Sequence, residues 1–414
     1  MITSDTTSTP DIRDTKISRN KLLAIAGLGW LFDAMDVGLL SFVLAALSVE
    51  WGLNSQQLGW IGGINSIGMA IGAFVFGIYA DKRGRKVAFI ATLLLFSIGS
   101  GLSAFAWGLT SFVILRFLIG MGLGGELPVA STLVSENVAA RERGRVVVLL
   151  ESFWAGGWIV AALIAYFLMP IEGFGWRGAM LMCAMPAFYA LYLRISLPDS
   201  ISFKKLSQKD KKETIVHKLR LLWSPAYRRS TIMLWLLWFG VVFSYYGMFL
   251  WLPKVVMSKG FGLSQSFGYV LLMTLAQLPG YFTVAWLIER IGRKIVLTLY
   301  LTGTMLGAYW FGAANSLNQI LVAGALLSFF NLGAWGALYA YTPEQYIAKV
   351  RATGAGFAAA VGRIGGIFGP LMVGYLMALD FGISAIFNIF CASILISILA
   401  VLFLGKETKQ TIID

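Results

Sequence analysis

Two acidic residues, Asp33 and Asp36, lie inside a long apolar segment near the start of the chain. The segment runs from about Lys21 to Trp51, long enough at roughly 1.5 Å per residue to cross the hydrocarbon core of a bilayer. On a helix the two acids share one face. An ionised carboxylate at such a depth costs at least about 2.5–3.5 kcal/mol. The pair therefore needs a partner cation, a water-filled cavity or a bound proton.

Arg116 and Glu126 lie in another apolar segment at matching depths. Counted along the helix rise, Asp36 is about 22 Å above the inner end of its segment, and Arg116 is about 9 Å below the outer end of its own. These depths coincide in a core about 30 Å thick, and Asp33 and Glu126 both fall near the middle. We interpret the four residues as a proton-coupling set, because a carboxylate beside Arg116 stays ionised and one without a cation takes up a proton more readily. The alternative is a structural polar cluster.

Arg363 lies about ten residues into a later apolar segment, within the sequence AAVGRIGGIFGP. A buried guanidinium is costly, and its shape suits a carboxylate held by two parallel hydrogen bonds. Because no acid lies at matching depth in that half of the sequence, we predict that the substrate brings the anion. The alternative is pairing with Asp33 or Asp36. Glu151, near the inner end of its segment, is expected to reach the interface and is assigned no role.

Aromatic residues also occur in the apolar segments. Trp154 and Trp335 are flanked by small residues, which leaves room for a planar ligand to stack on either ring. The alternative is that such rings belong to interfacial belts or to packing. Further aromatic candidates are Tyr245, Tyr246 and Tyr339.

Composition identifies the class of protein. Of 414 residues, 58% are hydrophobic and 13% are charged, far from soluble usage. Apolar runs of membrane-crossing length recur twelve times, six on either side of a polar, basic stretch. We predict an all-α membrane protein with twelve transmembrane helices. The two cysteines lie in apolar runs and the one histidine in the polar stretch, so we expect no metal site, no cofactor and no enzyme chemistry.

We attribute the net charge of +13 to membrane topology and not to a surface that binds nucleic acid. Basic residues cluster after even-numbered apolar runs, whereas the opposite loops hold Arg177, Lys254 and Lys259. This asymmetry predicts that both termini are cytoplasmic. We expect a multi-pass protein of the cell (inner) membrane, monomeric and in contact with lipid, and no nucleic-acid partner.

The chain contains an internal repeat. GIYADKRGRK, residues 77–86, reappears as AWLIERIGRK, residues 285–294, and the same offset relates Glu136 to Glu344. We predict two parallel six-helix halves, 1–197 and 230–414, joined by a basic cytoplasmic loop, 198–229. Charged residues and glycines of the repeated loops are candidates for a gating network, the alternative being that they set topology and packing alone. They are Gly77, Asp81, Gly84, Arg85, Glu136, Arg143, Glu289, Arg293, Glu344 and Arg351.

The repeated loop, G-x-x-x-D-[KR]-x-G-R-[KR], resembles the signature of the major facilitator superfamily, and the resemblance extends over the whole chain. Three stretches narrow it: FDAMD, RFLIGMGLGGELPVASTLVSE and FSYYGMFLWLP. They are similar to a subgroup of niacin permeases, aromatic acid:proton symporters, organic ion transporters and synaptic vesicle glycoproteins, and most of all to the niacin permeases.

The resemblance implies roles for several residues. Asp33, Asp36 and Arg116 match the paired acids and the arginine of the family pattern. Trp154 and Trp335 match its ligand-sandwiching tryptophans, Tyr245 and Tyr246 its tyrosine pair, and Arg363 the basic residue of anion-carrying members. Tyr339 departs from the synaptic vesicle proteins, which have an acid there, so a cationic ligand is disfavoured.

The resulting hypothesis is a transporter that takes up a small aromatic monocarboxylate with protons by alternating access, with nicotinate as the best candidate. Gln277 or Tyr245 is a candidate donor to the pyridine nitrogen. Three alternatives stay open: uptake of a benzoate-like acid, export of drugs or organic anions, and a ligand sensor without transport.

Overall fold

A computed structural model of the protein describes residues 19–83, 85–137, 143–196 and 220–408, which are predominantly helical. The first half contains seven α-helices, and a five-residue π-helical turn, Ile164–Leu168, extends α5. Their bounds are α1 Arg19–Glu50, α2 Ser55–Arg83, α3 Arg85–Ser103, α4 Leu109–Asn137, α5 Arg143–Leu163, α6 Gly175–Met182 and α7 Pro186–Ser196.

The described part of the second half contains eight helices, from Arg228 onwards. The short α9 follows α8 almost without interruption, and α10 and α11 are separated by Ala276. Their bounds are α8 Arg228–Phe249, α9 Leu252–Ser258, α10 Leu263–Leu275, α11 Gln277–Ile291, α12 Arg293–Ala313, α13 Leu317–Glu344, α14 Ala348–Ala378 and α15 Ile383–Leu404.

Length and hydropathy identify a multi-pass membrane protein. Among the described residues, 10 helical segments are long and apolar enough to cross a membrane, and α4 adds a shorter apolar segment, Leu109–Gly125. The sixth predicted span is divided between α6 and α7. The all-α membrane class is therefore confirmed. The count of twelve spans and the domain boundaries stay predictions, and residues 198–219 of the predicted loop lie outside the described ranges.

The two halves pack together at the end of the bundle where α1 and α14 terminate, which we call the distal end. There α2 lies against α14, and a methyl group added to Gly59 would come within 3.0 Å of the Pro370 carbonyl oxygen and 3.3 Å of the Gly374 Cα. Such small residues let two helix backbones approach closely. The Lys254 ammonium of α9 also donates a hydrogen bond to the Ser48 hydroxyl of α1, at 2.9 Å.

A second contact between the halves lies on the other side of the bundle centre. Here α5 packs against α11 and α13, and a methyl group on Gly336 would lie 3.4 Å from the Val148 side chain and 3.1 Å from the Tyr281 ring. Between this layer and the distal end, the helices of both halves surround an internal cavity.

Candidate functional site

The cavity is built by both halves and has an empty volume of about 580 Å³, counting its mouth. Its wall combines aromatic rings with a few charged groups. The lining residues are Trp30, Asp33, Val37, Met69, Leu123, Glu151, Trp154, Trp238, Val242, Tyr245, Tyr246, Tyr281, Trp335, Tyr339, Ala359 and Arg363.

Asp36 and Arg116 form a buried ion pair beside the cavity, as their depths predict. The Arg116 guanidinium donates to Asp36 Oδ2 at 3.0 Å, and the Ser100 hydroxyl donates to Oδ1 at 2.6 Å. Both charged residues are fully buried. The guanidinium also lies 5.2 Å from the Phe112 ring centroid. Each carboxylate oxygen of Asp36 thus has a donor, and both members of the pair belong to the first half.

Asp33 differs from Asp36 in its surroundings, although the two share a helix. Asp33 lines the cavity, and Asp36 does not. The helix α1 therefore presents one acid to the space where a ligand can enter and holds the other against Arg116. Glu126 belongs to α4, but its side chain lies outside the described residues.

The aromatic wall joins the two halves. The Trp154 indole N–H donates to the Tyr245 hydroxyl at 2.7 Å, across the boundary between the halves. The Tyr245 ring lies 5.3 Å from that of Trp335, and Trp335 is stacked near-parallel to Tyr339 at 5.8 Å. Trp154 and Trp335 therefore line one cavity, with Tyr245 in contact with both.

Arg363 lines the same cavity and is half-buried. Its Nη1 lies 3.6 Å from the sulfur of Met69 in the other half, and the Tyr246 hydroxyl is 3.8 Å from that sulfur. Among the lining residues that the structure describes, Arg363 carries the positive charge. The arrangement provides a guanidinium beside aromatic surfaces inside an enclosed space.

The structure corrects one expectation and adds residues that the sequence did not single out. Glu151 does not reach the interface: it is 3% exposed and lines the cavity. Trp30, Trp238 and Tyr281 also line the cavity. Their residue types alone did not indicate that they lie at the cavity rather than elsewhere in the bundle. Gln277 is fully buried at the start of α11 and is not among the lining residues.

The charge network predicted for the second half is assembled at the end of the bundle opposite the distal end. Arg293 forms two 3.0 Å hydrogen bonds with the Glu289 carboxylate, and its Nε lies 3.2 Å from Glu344. Gly292, with φ of +100°, makes the turn between α11 and α12, a conformation that glycine adopts without strain. The Arg351 side chain donates to the Tyr346 carbonyl oxygen.

The residues after α15 cover this network. The Glu407 carboxylate accepts the backbone N–H groups of Arg293 at 2.9 Å and Lys294 at 3.2 Å, at the start of α12. A carboxylate at a helix N-terminus is stabilising, since it satisfies free N–H groups and complements the helix dipole.

In the network predicted for the first half, Gly77 is a member that the structure describes. Gly77 lies in α2, and a methyl group added there would meet nothing within 4 Å. The other predicted members lie outside the part of the chain whose side chains are described. They are Asp81, Gly84, Arg85, Glu136 and Arg143.

The ion pair yields a stability prediction. Arg116→Met leaves the buried Asp36 carboxylate without its cation, which costs about 3–5 kcal/mol. We expect a large drop in the thermal unfolding temperature of the purified protein. The double variant Asp36→Leu/Arg116→Met should recover most of it, because no uncompensated charge remains. Equal unfolding temperatures for the wild type and Arg116→Met would contradict the buried pair.

The chain matches the Major Facilitator Superfamily over residues 26–280 and 269–412. It is 64% identical to the putative niacin/nicotinamide transporter NiaP of Bacillus subtilis (strain 168) over 395 residues, 95% of this chain and 98% of the relative. It is 46% identical to the niacin transporter NiaP of Acinetobacter baylyi (strain ATCC 33305 / BD413 / ADP1) over 414 residues, 94% of each.

A solved structure has the same fold. The partially occluded inward-open xylose transporter XylE from E. coli aligns with a TM-score of 0.76 at 17% identity, over 95% of this chain and 99% of that one. At this identity the similarity concerns the fold. The relatives are transporters rather than enzymes, and the chain belongs to the Major Facilitator Superfamily.

Proposed function

We propose that this protein imports a small aromatic monocarboxylate, with nicotinate as the best candidate, together with protons across the inner membrane by alternating access. The observation that carries this proposal is the Arg363 guanidinium in a cavity walled by Trp154 and Trp335. The names of its niacin-transporting relatives support the same ligand class.

In this proposal, Arg363 binds the carboxylate of the substrate. A guanidinium holds a carboxylate through two parallel hydrogen bonds, a geometry that an ammonium cannot supply. Removing the charge of a carboxylate from water is costly unless it is paired. In a cavity whose other charged lining residues are the acids Asp33 and Glu151, Arg363 is the group that offsets this cost.

The aromatic wall accounts for the ring. Trp154 and Trp335 line one cavity from opposite halves, and both contact Tyr245. Flat rings bordering a cavity favour a planar ligand by offset stacking or edge-to-face contact. Because the hydroxyl of Tyr245 accepts the Trp154 N–H, the relative orientation of these two rings is fixed before ligand enters.

Asp33 is the proposed proton carrier. It lines the cavity, whereas the carboxylate of Asp36 accepts hydrogen bonds from Arg116 and Ser100. Protonation of Asp33 while the substrate anion pairs with Arg363 reduces the net charge that must be enclosed when the cavity closes. Glu126 stays a second candidate in this set.

Alternating access requires contacts that can part on either side of the cavity. The α2–α14 contact and the Lys254–Ser48 hydrogen bond are candidates at the distal end, which we assign to the extracellular side. The contact of α5 with α11 and α13 is the candidate on the cytoplasmic side. Rocking of one half against the other would exchange these contacts.

The direct test is transport of labelled nicotinate into liposomes that contain the purified protein. Accumulation that depends on an inward proton gradient supports the symporter. Flux without dependence on the gradient would exclude proton coupling. Binding without flux would identify a sensor, and proton-driven extrusion from cells would identify an exporter.

Arg363→Ala should weaken nicotinate binding by at least about thirtyfold, because one partner of an enclosed charge pair is lost. Nicotinamide has the same ring without the carboxylate and serves as the control ligand, whose affinity should change little. Arg363→Lys keeps the charge and should recover part of the loss. Calorimetric titration of the wild type and both variants with each ligand measures these affinities. An unchanged nicotinate affinity in Arg363→Ala would remove this residue from the site.

Asp33→Asn should retain exchange of labelled for unlabelled substrate and lose accumulation against a gradient, since the amide cannot take up and release a proton. Both are measured in the same liposomes. Glu172→Gln, at an exposed position outside the cavity, is the matched control and should retain both activities. Gradient-driven accumulation by Asp33→Asn would assign proton coupling to another residue.

A further inference from the structure

We propose that Glu151 is the specificity residue of this site, and that its carboxyl group forms a hydrogen bond with the ring nitrogen of an N-heteroaromatic carboxylate whose anion pairs with Arg363. The inference rests on the proposed function, because it requires an aromatic acid in the cavity. It goes beyond that function by explaining how a pyridine ring is distinguished from a benzene ring.

Glu151 is in the position that this role needs. It lies on α5 three residues before Trp154, so the two side chains share one helix face, and both line the cavity. The Trp30 indole N–H donates to Glu151 Oε2 at 3.3 Å, and the Trp30 ring lies 4.8 Å from that of Trp154. One oxygen of the carboxyl group is thereby oriented next to the surface on which a planar ligand would stack.

The surroundings of Glu151 call for one more partner. Among the described residues, Trp30 is the residue that donates a hydrogen bond to the Glu151 carboxyl group. Glu151 does not belong to any of the ion pairs that these residues form. A buried carboxyl group without a cation is stabilised by sharing a proton with a suitable acceptor or donor. Ionisable groups nearby are Asp33, Tyr245, Tyr281, Tyr339 and Arg363.

A pyridine nitrogen supplies that partner. It accepts a hydrogen bond from a protonated carboxyl group, and a pyridinium N–H donates one to a carboxylate, so one shared proton satisfies both groups in either form. Benzoate presents a C–H group at the same place and leaves the buried carboxyl group without this bond. A site built to hydrogen-bond one atom of its ligand discriminates against an analogue that lacks this atom.

The two polar contacts come from opposite halves. Arg363 belongs to α14 and Glu151 to α5, and both line the cavity together with Tyr339. A ligand with a carboxylate and a ring nitrogen therefore engages both halves at once. A ligand with the carboxylate alone engages the first half through stacking contacts.

The experiment compares calorimetric affinities of the full-length purified protein for nicotinate and benzoate, in the wild type, in Glu151→Leu and in Ser152→Ala. The Ser152 hydroxyl donates to the Leu149 carbonyl oxygen and does not line the cavity, so its variant is the matched control. We expect the wild type and the control to favour nicotinate by at least about tenfold. In Glu151→Leu the ratio should fall to about one through loss of nicotinate affinity, with benzoate affinity retained.

The wild type alone provides a second measurement that does not depend on a variant folding. Picolinate and isonicotinate move the nitrogen around the ring, away from Glu151, and each should bind at least about tenfold more weakly than nicotinate. Equal affinities for nicotinate, its isomers and benzoate would overturn the role of Glu151 while leaving an aromatic-acid site intact. So would an unchanged ratio in Glu151→Leu. Absence of binding by all four acids would instead refute the proposed function together with this inference.

Discussion

The structure depends on the cost of holding charge inside a membrane. In the first half, Arg116 and Ser100 offset this cost for Asp36 through hydrogen bonds to both carboxylate oxygens. Removing either charge alone would leave the other buried without compensation. The cavity is lined by charged residues of both halves: Asp33 from α1, Glu151 from α5 and Arg363 from α14. In the proposed function, the carboxylate of the ligand pairs with Arg363 in the space between the halves.

Two acids on neighbouring turns of α1, Asp33 and Asp36, have different surroundings. Asp36 links α1 to α3 and α4 through its hydrogen bonds with Ser100 and Arg116. Asp33 lines the cavity one turn away. A rocking transporter needs rigid halves and a changeable interface between them. The glycine contacts between α2 and α14 suit such an interface, because close backbone packing there does not require side chains to interlock.

Much of this arrangement could be predicted from the sequence. The membrane class followed from apolar runs, and the contact of Asp36 with Arg116 followed from counting helix rise in each segment. The location of Glu151 could not be predicted in this way. Its nearness to the start of α5 suggested the interface, but its burial depends on Trp30 and on the way α11 and α13 of the other half pack against α5. Trp30 and Trp238 were missed as well, because their position in the cavity wall depends on how the helices pack together. The proton-coupling and gating roles assigned from the sequence stay predictions.

The aromatic wall has a spectroscopic consequence. Trp30, Trp154, Trp238 and Trp335 border the cavity, whereas the chain contains 14 tryptophans in all. A planar ring stacked among these four indoles would change the polarity of their surroundings and alter their fluorescence, which would make the emission an optical reporter of occupancy. Because Trp154 and Trp335 belong to opposite halves, the same emission responds to separation of the halves. Replacing single cavity tryptophans by phenylalanine would show which part of the fluorescence change comes from ligand contact and which part comes from movement of the halves.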